Sequence, residues 1–246
     1  MLTKDVGICI RAIDYSETSQ IVEFFTIANG KIAAIAKGSK RPKSAFDGPI
    51  ELFATGQMVF SPPHDSKLAI LTEFEQKPVA TSLANNLFAL NSALFAAELM
   101  NSLTTEYDPH PQLYDQLQQF LELVNVAENS RETLALLILF QLTLLKEIGL
   151  QPILNTCVNC KTSHESRAAN HEIYFSSSAN GLICRDCEPA FAEKIKLTQN
   201  AANCLINFKT IADANEKTLK EIEKILIYHF TELLGKPPKM AKHILK

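Results

Sequence analysis

The 246-residue chain carries 24 Lys and Arg against 27 Asp and Glu, a formal net charge of −3, and 46% of its residues are hydrophobic. Those values suit a soluble protein of one or two domains and exclude a global positive field drawing it to nucleic acid or membrane, so any anion-binding surface must be a local patch. The first residues, Met1-Leu-Thr-Lys-Asp5, carry an acid and lead into no apolar segment before Arg11, so no export signal is expected; the most apolar run, residues 134–140 continued by Leu142, Leu144 and Leu145, is closed by Lys146 too early to span a bilayer.

Residues 1–75 read as strands. Val6, Ile8 and Ile10 alternate along the first, residues 20–28 form a second, and Asn29-Gly30 is a favoured pair for a tight hairpin turn into a third at 31–37. A fourth strand is predicted over 50–60 and a turn at Pro62-Pro63-His64-Asp65, followed by a strand with Leu68, Ile70, Thr72 and Phe74 on one face. Five short strands in this length suit a small Greek-key barrel of the OB type, with an SH3-like barrel as the alternative. Between the third and fourth strands lies Lys37-Gly-Ser-Lys40-Arg41-Pro-Lys43, four cations within seven residues and no acid until Asp47. Flexible cations on an OB loop match backbone phosphates without reading sequence, which makes Lys37, Lys40, Arg41 and Lys43 the candidate nucleic-acid contacts; the plainer alternative is a solvated loop. Single-strand binding also uses aromatic platforms. Phe53 shares a strand face with Glu51 and Thr55, and Arg11 shares one with Tyr15, so these are secondary candidates, against the commoner placement of barrel aromatics in the core.

Helical periodicity starts after Pro78, where Leu83, Leu87, Leu90, Leu94 and Ala97 make one apolar stripe. Asp108-Pro109-His110-Pro111 breaks it, and a second helix is expected from Leu113 to about Val126. Ser130 is expected to cap a third, with Thr133 where a capping box would have glutamate; Gly149 ends it, with Pro152 beyond. Residues 81–150 hold only Arg131 and Lys146 against eight acids, a poor surface for phosphate. Further on, Thr198 is expected to cap a helix carrying Ala201, Ala202, Leu205 and Ile206. A long helix over about 216–234 should bury Ile222, Ile225, Leu226, Leu233 and Leu234 before Gly235 stops it.

The segment between these helices carries the most specific signal. Cys157-x-x-Cys160 and Cys184-x-x-Cys187 stand 23 residues apart. Each pair offers two thiolates at one turn, and a tetrahedral zinc ion needs two such corners; four sulfurs leave no position for water, so the zinc is structural rather than catalytic. A redox dithiol needs one pair, and two disulfides suit a secreted chain. A zinc deaminase wants H-x-E and P-C-x-x-C, whereas here Glu172 directly follows His171 and Thr156 precedes Cys157. His164 and His171 lie between the pairs as substitute ligands, with solvated loop histidines as the plainer reading. Cys9 and Cys204, each alone in apolar surroundings, read as core residues.

No catalytic constellation is present: the sequence has no Walker A loop, no dinucleotide-binding glycine motif, no nucleophile elbow and no H-E-x-x-H. His229 would be a general base only beside a nucleophile, and a surface or capping role is the simpler reading. The expected class is therefore α+β multidomain and non-enzymatic. Residues 1–79 form an N-terminal OB-fold β-barrel and residues 80–246 an α-helical domain, with an inserted four-cysteine zinc module at about 153–190.

The order of these features is itself informative. The barrel with K-G-S-K-R-P-K-S is followed by Phe140-x-Leu-x-Leu-Leu145-x-x-x-Gly149-x-x-Pro152, then by the two cysteine pairs, then by Tyr228-His-Phe-x-x-Leu-Leu-Gly235-Lys236. This resembles the bacterial RecO family of recombination mediators and DNA repair proteins over essentially the whole chain. The resemblance implies a cytoplasmic, nucleoid-associated protein that binds single- and double-stranded DNA, anneals complementary strands and helps load recombinase onto strands coated by single-strand-binding protein. The implied partners are RecR and the acidic, apolar tail of the single-strand-binding protein. It carries a DNA-binding role to Lys37, Lys40, Arg41 and Lys43, and a zinc role to Cys157, Cys160, Cys184 and Cys187. The family's helical domain often supplies cations for that tail, and residues 81–150 depart from this, so no tail site is assigned; Lys236, Lys239 and Lys242 are the alternative cluster. The competing reading is a zinc-containing protein–protein adaptor with little DNA affinity of its own, and a third is an RNA-processing enzyme with structural zinc.

Overall fold

A computed structural model describes residues 2–46, 48–63, 68–77, 83, 86–164 and 172–245. The β-rich N-terminal sequence forms β1 (Thr3–Asp14), β2 (Gln20–Thr26), β3 (Gly30–Ala36), β4 (Thr55–Ser61) and β5 (Ala69–Lys77), closed in the order β1-β2-β3-β5-β4. Neighbours are antiparallel except β3 and β5. That is the OB arrangement, and the SH3-like alternative falls away. The core is built from Cys9, Val22, Phe24, Ile32, Met58 and Phe74 among others, with Phe24 and Phe74 meeting edge to face at 4.8 Å.

The β2–β3 turn uses three residues, 27–29, and Gly30 takes the left-handed conformation (φ 65°) that such a loop requires. The Asp5 carboxylate accepts hydrogen bonds from the backbone N–H groups of Ala28 and Asn29 and from the Asn29 side chain, tying the turn to β1.

Two irregularities shift the alternation predicted from sequence. A bulge between Cys9 and Arg11 accompanies an inward Cys9; Ile8 and Ile10 of the predicted alternation are buried too, while Cys9 is the one that joins the barrel core. A second shift, between Val59 and Phe60, leaves Thr72 outside the ladder register, so Leu71 and Phe74 both reach the core and Ile70 points out to solvent. The predicted fourth strand also starts late, at Thr55. Phe53 adopts φ 66° and is buried, not exposed, and backbone bonds Phe53 N–H to Cys9 O (2.7 Å) and Cys9 N–H to Ala54 O (2.9 Å) hold it there. The turn expected at Pro62–Asp65 lies partly outside the described residues.

The chain divides into two compact units, residues 1–86 with 97–125 and residues 87–96 with 126–246. The first holds the barrel and nearly all of α2 (Pro111–Val126), which begins on the proline that broke the preceding pattern, as the N1 preference for proline leads one to expect. Helix α1 (Leu87–Leu103) contributes to both. Its predicted stripe is displaced: Leu87 is 73% exposed and Leu90 half-buried, whereas Ala93, Phe95, Ala96, Leu99 and Met100 are buried.

The second unit contains α3 (Ser130–Glu147), α4 (Gln199–Ile206) and α5 (Glu216–Leu234), with α5 packing on both α3 and α4, a short α6 (Ala241–Ile244), and a sheet of β7 (Gly181–Cys184), β6 (Ile173–Ser176) and β8 (Ile195–Lys196). The cap of α3 is Asn129, one residue before the predicted Ser130. This shift places Glu132 at the third helical position, where its carboxylate accepts from the N–H of Glu128, the residue before the cap, a variant of the capping box. Gly149 (φ 77°) closes the helix with a Leu150 N–H to Leu145 O bond. Thr198 caps α4 as expected. No described helix is long and apolar enough to cross a membrane.

Sequence pattern missed two buried polar groups on α5, where Leu233 is 38% exposed and Glu223 and His229 are fully buried. Gln141 on α3 donates to Glu223 Oε1 (2.9 Å), and His229 Nδ1 lies 2.7 Å from Ser177 Oγ. His229 is therefore neither a surface nor a capping residue. Burial, partly offset by the Gln141 hydrogen bond, pushes the Glu223 carboxyl up to about 7, and burial lowers His229 to about 4. Glu223 thus costs stability as pH rises from the ordinary carboxylate range through about 7, on the order of 3 kcal/mol in all, while His229 costs stability as pH falls from about 6.5 through 4. The two slopes oppose one another between about pH 4.5 and 6.5. Replacing Glu223 with Gln removes only the first. Thermal unfolding of the parent and Glu223→Gln should coincide near pH 4.5 and separate towards pH 8, with the variant higher; a gap of equal size at both pH values would contradict this account.

Candidate nucleic-acid interface and metal centre

The basic loop leaves β3 at Lys37 and returns to the barrel through Phe46 and Ile50, both buried in its core. A single side chain holds the two ends together. Gln20, buried at the start of β2, accepts at Oε1 from Ser39 Oγ (2.9 Å) and from the Ile50 N–H (2.8 Å), and its Nε2 donates to Ile50 O (3.2 Å). The loop is also pinned from the β1–β2 turn, where Ser19 Oγ accepts from Gly38 N–H and Thr18 O accepts from Lys40 N–H. These bonds fix the backbone from which the cations project.

The four cations are not equivalent. Lys37, Arg41 and Lys43 are exposed, and all three line a shallow groove of about 370 Å³ with Ile70 and Thr72. Lys40 is set apart, half-buried with its Nζ 2.6 Å from Asp14 Oδ2. Nothing in the local sequence marks Asp14 as a partner for Lys40, because their approach depends on the register of β1, β2 and β3. Among the secondary candidates, Arg11 is engaged by Glu23 Oε1 at 2.6 Å, Tyr15 is 63% exposed, and Phe53 belongs to the interior. Lys236, Lys239 and Lys242 are exposed near the chain end.

In the second unit the two cysteine pairs converge. Cys157 and Cys160 sit on a knuckle in which Lys161 takes φ 60° and its N–H bonds Cys157 O at 3.0 Å. Cys184 ends β7, and Cys187 lies in the 3-10 turn that follows (Arg185–Ala190). All four sulfurs lie within 4.8 Å of one another, and those of Cys160 and Cys184 are 3.7 Å apart. A zinc ion bound tetrahedrally by thiolates at about 2.3 Å spaces its sulfurs by about 3.8 Å, so this donor set fits. Among the described residues no histidine joins the cluster. His164 is buried with its N–H on Asn155 O, and His171 lies outside the described residues.

The surroundings already favour charge on part of the set. Burial opposes ionisation of Cys157, but backbone N–H groups of Cys184, Cys160 and Asn159 aimed at its sulfur outweigh it and hold the thiol below its ordinary value. The Thr162 side chain and backbone bring Cys160 down to about 6. Burial pushes Cys184 up to about 12. A cation among the sulfurs would supply the countercharge that a thiolate at Cys184 lacks.

Comparison with known proteins identifies the family. Residues 1–77 match the family described as Recombination protein O N terminal, and residues 84–242 match Recombination protein O C terminal. The DNA repair protein RecO of Halalkalibacterium halodurans is 31% identical over 83% of this chain and 76% of its own length. Those of Alkaliphilus metalliredigens and Bacillus subtilis are 32% and 28% identical, covering 92% and 96% of this chain and 84% and 91% of their own lengths. Both halves of the sequence agree, and the chain belongs to the Recombination protein O (RecO) family of DNA repair proteins.

Proposed function

We propose that this protein is a non-catalytic recombination mediator acting in the bacterial cytoplasm at the nucleoid. In this reading it binds single- and double-stranded DNA through the barrel (residues 1–79), anneals complementary strands, and helps load recombinase on strands coated by single-strand-binding protein, with RecR and the acidic tail of that protein as partners. The observation that carries the reading is the loop at residues 37–43, whose cations project from a backbone tied down at both ends by Gln20. Pre-set donors lose little conformational freedom on meeting a phosphate, and Lys and Arg hold the backbone without reading bases. The alternative, a zinc-containing adaptor with little DNA affinity, is separated by the same binding measurement.

Because Lys40 is committed to Asp14, three cations rather than four meet phosphate first. The log of single-strand affinity should fall with log salt at a slope of about −2, roughly −0.7 per contact. Changing Lys37, Arg41 and Lys43 together to Ala should abolish most of that slope. Asp14→Asn frees Lys40 and should tighten binding while steepening the slope towards about −3. Fluorescence anisotropy across a salt series measures both, and a triple variant that keeps the parent's affinity and slope would remove the loop from the interface.

We also assign zinc to Cys157, Cys160, Cys184 and Cys187, in a structural role. The buried apolar cluster around them is small, comprising Cys157, Ile183 and Cys184 with Val158, Tyr174 and Phe191 packed alongside. Metal binding contributes on the order of 10–16 kcal/mol in zinc-finger peptides, ample to order such a segment. Chelation or Cys157→Ser should expose residues near 153–190 to protease before the barrel is cut, while metal analysis reports one equivalent of zinc in the parent. Unchanged cleavage after verified metal loss would deny the ion a folding role.

A further inference from the structure

The four-cysteine centre does not meet solvent evenly. Of the chain's six cysteines, all within the described residues, Cys160 alone is exposed. Cys187 is half-buried, and Cys157, Cys184, Cys9 and Cys204 are buried. The exposed sulfur also stands against a buried one of the other pair, with Cys160 Sγ and Cys184 Sγ 3.7 Å apart. Their backbones are held differently. Cys184 is the last residue of β7, paired with Ile173 of β6 and packed in the buried cluster with Ile183. Cys160 lies at the outer side of its knuckle, between exposed Asn159 and Lys161. A disulfide bond is about 2.05 Å long, so the two sulfurs need to close by about 1.7 Å, a movement the exposed Cys160 side chain can supply.

We propose that this centre is a redox switch, in which hydrogen peroxide oxidises Cys160, Cys184 resolves it, and the resulting Cys160–Cys184 disulfide dismantles the metal site. The inference rests on the zinc assignment made above and adds its regulation. In the first step the Cys160 sulfur attacks one oxygen of the peroxide. The O–O bond breaks, the far oxygen leaves as hydroxide and takes a proton from solvent to become water, and Cys160 is left as a sulfenic acid. The Cys184 sulfur then attacks that sulfur, forming the S–S bond and expelling the hydroxyl, which a second proton converts to water. Two sulfurs lose two electrons in all, and the peroxide gains them.

Three features favour this course. Oxidation of thiols follows exposure, and a sensor cysteine works beside a resolving one, which are the positions of Cys160 and Cys184. Cys157, the other partner open to Cys160, is buried with the Cys184 N–H 3.5 Å from its sulfur. Finally, a neutral disulfide leaves only Cys157 and Cys187 as thiolates, half of what a closed tetrahedral zinc site requires. A bond between the two pairs also joins the same two turns that the metal would join. Separation of the turns is then limited by the cross-link across the 23 residues between them, so reduction returns all four sulfurs to one place. A bond within one pair would leave the turns free to part.

The test uses the full-length, zinc-loaded protein titrated with hydrogen peroxide beside the chromogenic zinc chelator 4-(2-pyridylazo)resorcinol. Zinc should be released in step with peroxide consumed, dimedone should trap the sulfenic acid at Cys160, and peptide mapping should find Cys160 joined to Cys184. Dithiothreitol and added zinc should restore the loaded form. A second variant leaves all four ligands in place. The Thr162 hydroxyl lies 3.3 Å from Cys160 Sγ, and a hydrogen bond to a thiolate blunts its nucleophilicity, so Thr162→Val should release zinc about threefold faster under peroxide. Dimedone on another cysteine first, a bridge within one pair, or an unchanged rate in Thr162→Val overturns the proposal. A parent that carries no zinc sinks the metal assignment instead, whereas a loaded parent whose zinc withstands peroxide sinks only this inference.

Discussion

One buried amide organises the barrel's charged edge. Gln20 lies inside the apolar wall of the barrel, where an unpaired side-chain amide would cost about 1–3 kcal/mol, and it meets its needs by bonding to Ser39 and to both backbone groups of Ile50. The loop between those residues is then closed at its base and plugged by Phe46. Lys37, Arg41 and Lys43 have little choice but to point outwards. A polar group that must be satisfied within the core thus fixes the geometry of charges outside it. If Gln20 were absent, the loop would keep its composition and lose its pre-set form, and the ordering cost would fall on binding.

The second unit solves a different problem by related means. Its three-stranded sheet is too small to bury much apolar surface, and two of its best-buried side chains are cysteines. Cys184 in particular sits where burial resists charge, while Cys157 receives a set of backbone N–H groups that favour it. Such a pocket is half-prepared for anions, and a divalent cation would complete it. Core size, cysteine placement and metal demand are one constraint seen from three sides.

Features legible in the sequence were those carried by residue identity. The cysteine pairs announced their convergence because spacing alone brings two thiolates to each turn. Five strands, the end of α3 at Gly149 and the cap at Thr198 followed from glycine and hydroxyl chemistry, whereas α2 begins on Pro111, two residues before the expected Leu113. Features that depended on partners from distant sequence were not legible. Bulges beside Cys9 and Thr72 reversed the face of the residues that followed, and period-two reading has no means of detecting an inserted residue. Phe53 looked exposed because it was counted within a strand, whereas its left-handed backbone turns it inward. Asn129 rather than Ser130 caps α3 because the Glu132 carboxylate reaches back to Glu128, a choice between two good caps that geometry makes. Glu223 and His229 were hidden in an amphipathic pattern whose polar residues are ordinarily outside. The Asp14–Lys40 pair was not legible for the same reason, since it does not exist until β1, β2 and β3 adopt their register.

These placements bear on how an acidic protein could handle an acidic polymer. The net charge of −3 means attraction is confined to within about a Debye length, some 8–10 Å, of the exposed cations, and the acidic stretch 81–150 adds none. In the proposed function, three phosphate contacts would make affinity change by only about twentyfold between 50 and 200 mM salt, far less than for a protein clamping ten phosphates. A grip of that size concentrates strands and yet surrenders them to a complementary strand or to a recombinase. On the proposed reading, the Asp14–Lys40 pair would keep the patch at this modest strength, because a fourth free cation would raise affinity and slow release together. Restraint of the charge, as much as its presence, is what a mediator of strand exchange requires.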